Sequence, residues 1–211
     1  MILLYFVIIF GVSPLLYFLI YRKKYASILK PILPFIVLTF IASLYELFAT
    51  LTFGWNVSNW FVIYNILSFL AINYFYHNLI QIRYQFLLYL FFFAFILLCY
   101  FLFVNYQIKD FLIISTYFKG YITLFVLLFS ILWFVKIFQE TYLDNLLKNS
   151  TFYFLSGFIF YYCGTLFLFL LSNFILKVDL AMLHSYWLIN IVFNLVLRTL
   201  LLVGLWKART N

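Results

Sequence analysis

Apolar residues fill this chain in long blocks, and clusters of charged or turn-forming residues punctuate them. Most blocks are about 20 residues long, the length a helix needs to cross a bilayer. The first predicts a helix from Ile2 to Tyr21, with Gly11 and Pro14 as a kink point. Arg22, Lys23, Lys24 and Lys30 predict a loop after it. Pro31 and Pro34 suit the first turn of a second helix, which ends near Phe53. From Leu47 to Ile82 there is no charged residue, too long a stretch for one span, and Gly54-Trp55-Asn56-Val57-Ser58-Asn59 divides it with turn chemistry. Further helices are expected from Trp60 to Ile80, Gln85 to Val104, Tyr117 to Phe138, Thr151 to Leu176 and Ser185 to Trp206. Arg83, the Lys109-Asp110 pair, the Glu140/Asp144/Lys148 group and Lys177 with Asp179 mark the connections. Ile108 to Lys119 reads as a loop or a short interfacial helix.

The expected fold class is therefore all-α: a polytopic transmembrane helix bundle of seven spans, with residues 1–211 as a single transmembrane domain. Composition supports this. The chain is 69% hydrophobic and 9% charged, whereas soluble domains run at roughly 45–50% apolar and about 25% charged. A soluble core of this size cannot hide so much apolar surface, so lipid must be the solvent. No basic residue precedes the first helix and no small-x-small cleavage pattern follows it, which favours a retained helix over a cleaved signal peptide.

A net charge of +8 would suggest nucleic acid in a soluble protein. Here it fits loops that set topology and touch anionic lipid, which argues against direct nucleic-acid binding. Arg22, Lys23, Lys24, Lys30, Arg83, Lys148, Lys207 and Arg209 fall in alternate connections and at the C-terminus, with Lys136 close by. The other connections hold Lys109 and Lys177, with Lys119 at a helix start. The positive-inside rule then places the N-terminus outside and the C-terminus in the cytoplasm. The expected location is the bacterial inner (cytoplasmic) membrane.

Charged residues within spans are costly and by default face the bundle interior. Glu46, Lys119 and Arg198 are of this kind. Thr39, Ser43, Glu46 and Thr50 share one helix face, and Trp187, Asn190, Asn194 and Arg198 share another. Lys119, Thr123 and Ser130 align on the fifth helix, while the third offers Tyr64, Asn65 and Ser68 and the sixth Gly157, Tyr161 and Gly164. In the expected topology Glu46, Asn65, Lys119 and Asn190 all fall in the outer half of the membrane. Arg198 lies about 12 Å deeper than Asn190 at 1.5 Å per residue, where snorkelling to the cytoplasmic surface is the expectation. The candidate polar cluster is Glu46, Asn65, Lys119, Asn190, Asn194 and Arg198, with a Glu46–Lys119 pair as its sharpest form. Such stripes serve as interhelical hydrogen-bonding glue, as a ligand or ion cavity opening outward, or as a proton relay at Glu46.

No catalytic, cofactor or metal site is expected. The last helix has no mid-span lysine for a Schiff base. His77 and His184 stand apart, and Cys99 and Cys163 lie in apolar runs as small hydrophobes. Asn56-Val57-Ser58 and Asn149-Ser150-Thr151 match a glycosylation pattern that is common by chance. The five acids are scattered, and broken helices of the transporter kind are missing.

Trp60-x-x-x-Tyr64-Asn65, Asn73-Tyr74-Phe75 and Phe158-x-x-Tyr161-Tyr162-x-Gly164 carry a resemblance to a loose group of uncharacterised seven-helix integral membrane proteins of Bacteroidota, over most of the chain. In size, multi-span character and composition the chain is also similar to the small membrane accessory protein encoded beside the RNA-guided RNase of type VI-B CRISPR systems. Neither resemblance carries over catalytic residues. The expected function is that of a non-enzymatic accessory or receptor-like protein in the lipid bilayer, acting through a protein partner or self-association and, by the second resemblance, in antiviral defence. The alternative is a small channel or transporter with a polar path lined by Glu46, Asn190, Asn194 and Arg198.

Overall fold

The computed structural model describes residues 2–48, 53, 58–107, 110–140, 143–178 and 180–210. Seven α-helices and no strands occur among them: α1 (Ile2–Leu29), α2 (Leu33–Tyr45), α3 (Ser58–Leu79), α4 (Gln85–Asn105), α5 (Phe111–Glu140), α6 (Ser150–Val178) and α7 (Leu180–Thr210). Four stretches are long and apolar enough to cross a membrane: Ile82–Asn105, Phe111–Gln139, Ser150–Leu171 and Leu188–Arg209. Ile9–Tyr21 and Leu33–Phe48 are shorter apolar helices. α3 carries Asn65, Asn73 and Asn78 and falls outside that set of four. The chain is a helical membrane protein.

Several boundaries differ from the sequence expectation. α1 does not stop at Tyr21 but continues through the basic segment to Leu29. Nothing between Arg22 and Leu29 breaks a helix, and the stop comes where Pro31 disfavours helical backbone at Lys30. The expected four-residue basic loop is therefore mostly helix, the side chains of Arg22, Lys23 and Lys24 lying outside the described part. Pro14 sits inside α1. It has no N–H to give the carbonyl of Phe10, and the Ser13 hydroxyl donates to that carbonyl instead, at 3.0 Å. α5 begins at Phe111, so most of Ile108–Lys119 is neither loop nor separate interfacial helix. The Asp110 carboxylate accepts the Gln107 N–H at 3.2 Å and places an acid at the positive end of α5. Pro34 lies in the first turn of α2, as expected. Asn149 caps α6, its side-chain oxygen accepting the Thr151 N–H at 2.9 Å. The Gly54 to Val57 turn residues and Thr50 lie outside the described residues.

Six helices close a ring in the order α1, α2, α3, α5, α6, α7, and α7 returns to α1. α4 packs outside that ring against α3 and α5. Its inner face is short: Leu88, Phe95 and Leu102 are buried, Phe95 stacks on Phe69 at 3.8 Å, and the Tyr121 hydroxyl donates to the Phe91 carbonyl at 2.5 Å. His77 meets the Tyr89 hydroxyl at 3.2 Å, joining α3 to α4. The opposite face of α4, including Phe86, Phe93, Ile96 and Tyr100, is exposed and apolar, a surface suited to lipid.

The α6–α7 contact is the most extensive, and glycines allow it. A Cβ on Gly164 would overlap the Phe193 ring, one on Gly204 would overlap Phe154, and one on Gly157 would crowd Leu197 and Leu200 at 3.3 Å. Small residues that let helices approach closely are the usual means of association in lipid.

Candidate functional site

The ring interior has two different halves. The half at the N-terminal end of α2 is filled with aromatic rings. Phe35 of α2 meets Phe158 of α6 at 4.8 Å, and Phe75 of α3 meets the same ring at 5.6 Å. These contacts join helices that are not neighbours in the ring, so they occupy its centre. Phe35 and Phe158 are fully buried, as are Phe125 and Phe129 of α5 alongside. Tyr76 is buried there too. Its hydroxyl is shared between Ser130 Oγ at 2.6 Å and the Val126 carbonyl at 3.2 Å.

The other half, where α2 ends and α3 and α5 begin, is polar. α5 presents Thr116, Lys119 and Thr123 to α6 at helical spacing. Thr116 donates to the Phe169 carbonyl at 2.8 Å, and Thr123 reaches the Tyr162 carbonyl at 3.2 Å. Between them Lys119, 3% exposed, donates from Nζ to the Tyr161 hydroxyl at 2.9 Å. Aromatic faces surround the same ammonium: Tyr161 at 4.2 Å, Tyr162 at 4.9 Å and Phe169 at 5.4 Å. Such faces attract a desolvated cation, but an ammonium has three protons. Tyr161 Oη is the one hydrogen-bond acceptor it has among the described residues.

Arg198 is also buried, 3% exposed. Its Nη1 donates to the Val7 carbonyl of α1, while its Nε has no protein partner. Gly11 makes the space: a Cβ there would lie 2.5 Å from Arg198 Nη1 and would overlap Ser43 Oγ. The expected snorkelling of Arg198 to a membrane surface is thus overturned. The α7 stripe turns inward, and a main-chain acceptor one helix away meets the guanidinium. Gly11 leaves the space in which that group sits.

Glu46 lies at the end of α2 and is half-buried. Arg198 lies on its side of the ring, beside Gly11 and Ser43, whereas Lys119 lies against Tyr161 of α6. The expected Glu46–Lys119 pair is therefore corrected: α2 and α5 are not ring neighbours, whereas Arg198 reaches the α1–α2 side. Tyr64 of α3 completes the layer. It and Asn194 of α7 lie near the Tyr161 side chain, and it is within electrostatic reach of both Lys119 and Arg198. Tyr64 is half-buried, as are Glu46, Asn190 and Asn194.

Five of the six expected residues thus belong to this half: Glu46, Lys119, Asn194 and Arg198 within the layer, and Asn190 one turn from Asn194 with its Oδ1 unpartnered. Asn65 departs. It is buried, but its amide nitrogen donates to the Phe61 carbonyl of its own helix at 2.9 Å and its Oδ1 has no protein partner. Its neighbour Tyr64 is the α3 member of the layer. The signal for Tyr64 and Tyr161 was their place on the polar faces of α3 and α6, where tyrosine counts equally as an apolar filler. The side chains of Trp187 and His184 lie outside the described residues. Among those described, no three His, Cys, Asp or Glu side chains come together as a metal site.

The fold and layer define a class: a helical membrane protein with charged and hydroxyl groups enclosed at one level of a six-helix ring. Beyond that class, comparison with protein-family models, with curated proteins and with solved structures finds no match for the chain.

Proposed function

We propose that the protein is a non-enzymatic, receptor-like or accessory membrane protein. In this reading all seven helices span the bacterial inner membrane, the N-terminus is outside and the C-terminus cytoplasmic, and the protein acts through a partner or a second copy of itself. One observation carries it: the charged groups of the interior lie at a single level, and the other side is closed by the Phe35–Phe158–Phe75 contacts across the ring. A channel requires groups that replace hydration along the whole path. An input site on one face above a packed core suits a protein that passes on a shift in helix packing, because packed interiors respond by discrete rearrangement rather than continuous deformation. Basic residues at the sealed end, Arg83, Lys148, Lys207 and Arg209, offer complementary charge to an acidic partner.

Ion flux in proteoliposomes is the test. Purified protein alone is expected to raise potassium, chloride or proton flux no further than empty liposomes do. Flux that Glu46→Ala and Arg198→Ala abolish would make the channel reading correct instead.

A further inference from the structure

Charge within the polar layer does not balance. Two cations, Lys119 and Arg198, are each 3% exposed, and one carboxylate, Glu46, shares the level with them. Glu46 acts on Arg198, so Lys119 has no counter-charge among the described residues. A buried charge is costly unless it is paired and hydrogen-bonded. Rings at 4.2 to 5.4 Å offset part of that cost for Lys119 but supply no counter-ion. Donors also outnumber acceptors. Lys119 Nζ has three protons and one acceptor among the described residues, and Arg198 Nε has none. Both cations lie within electrostatic reach of Tyr64, a half-buried residue of the same layer. A buried cation with spare donors is complementary to one negative charge that carries acceptor lone pairs.

Resting on the reading of the interior as a one-ended polar site, we propose that the layer binds a small monoanion, a halide or a short-chain carboxylate, at Lys119 with Tyr64 as its second donor. Arg198 supplies long-range attraction and stays tied to Val7. The aromatic rings around Nζ restrict the site to small anions. Glu46 repels a second negative charge, so a dianion such as sulfate is excluded.

The protein in lipid nanodiscs, kept at constant ionic strength with sodium sulfate, is titrated with sodium bromide and separately with sodium acetate. Binding is read by quenching of intrinsic fluorescence for bromide and by thermal unfolding for both. The expected result is a saturable response to at least one of the two, which identifies the anion source. Lys119→Met is expected to abolish it, and Lys119→Arg to retain it. Tyr64→Phe leaves every charge in place and is expected to weaken binding about tenfold, as loss of one charge-assisted hydrogen bond does. A wild-type protein that responds to neither anion, or a response that Lys119→Met leaves undiminished, overturns the proposal. Where Lys119→Met does not yield folded protein, Tyr64→Phe decides, and an unchanged affinity is the overturning result. The flux test separates the two readings. Saturable binding accompanied by anion flux would retain this site and overturn the receptor-like reading; absence of both binding and flux would do the reverse.

Discussion

The Arg198 guanidinium of α7 donates to the Val7 carbonyl of α1, bonding two residues 191 positions apart in the chain. That bond closes the helix ring at its first and last members, and it passes over Gly11 because no other residue leaves room. Gly11→Ala is therefore expected to destabilise the protein by about 1–3 kcal/mol, the usual cost of overpacking. Thermal unfolding in detergent checks it. Ser43→Ala removes one of the two groups that the new methyl would strike, and combined with Gly11→Ala it is expected to recover part of the loss.

The corrected pairing gives a second prediction. Glu46 and Arg198 attract each other across the interior, whereas Lys119 takes its partner from Tyr161. Double-mutant cycles on stability are expected to show coupling for Glu46→Gln with Arg198→Met. The cycle of Glu46→Gln with Lys119→Met is expected to be additive within about 0.3–0.5 kcal/mol. Coupling in the second cycle and none in the first would restore the pairing expected from sequence.

Glycine positions differ sharply in what they permit. A Cβ on Gly120 meets only Leu166 Cδ1, at an ordinary 3.8 Å, while one on Gly204 falls against the buried Phe154 ring. Gly120→Ala is expected to be neutral or stabilising, since alanine is favoured over glycine in a helix by about 0.8–1.0 kcal/mol. Gly204→Ala is expected to lower the unfolding temperature, because Phe154 is packed in turn against Phe75 at 6.3 Å.

In the sealed half, Tyr76→Phe removes the hydroxyl shared by Ser130 and Val126. Interhelical hydrogen bonds of this sort contribute about 0.6 kcal/mol on average in membranes and at most about 1.7. A destabilisation in that range is expected, with Ser130→Ala adding little on top of it. A double mutant as costly as the sum of the singles would show that the two hydroxyls act separately.

For topology, single cysteines at Asn56 and Asn145, in a background with Cys99 and Cys163 replaced by serine, are expected to react with an impermeant reagent from opposite sides of the membrane. Labelling from the same side would contradict the seven-span arrangement.

Some of this was legible in the residues themselves. Long uncharged blocks set the number of helices, because each apolar stretch must satisfy its own backbone groups in lipid and a helix does that locally. Pro34 in the first turn of α2 and the inward stripes of α2, α5 and α7 follow from equally local rules of spacing and backbone chemistry. Helix ends were less legible: α1 runs on to Leu29 and α5 starts at Phe111 because basic and interfacial residues are compatible with helix, and hydropathy records polarity rather than backbone conformation. Partner choice was not legible. Glu46 and Lys119 have complementary charges and similar expected depth, but only the ring order decides that Arg198 lies on the α1–α2 side with Glu46 while Lys119 faces Tyr161. That Gly11 leaves room for Arg198 is likewise visible only in the packed structure. Tyr64, Tyr161 and Phe158 look alike as aromatic residues of apolar helices, and packing alone makes two of them members of a polar layer and the third part of a seal. Spacing along one helix determines which residues share a face; which face meets which depends on contacts between residues far apart in the chain, and those exist only once the ring has closed.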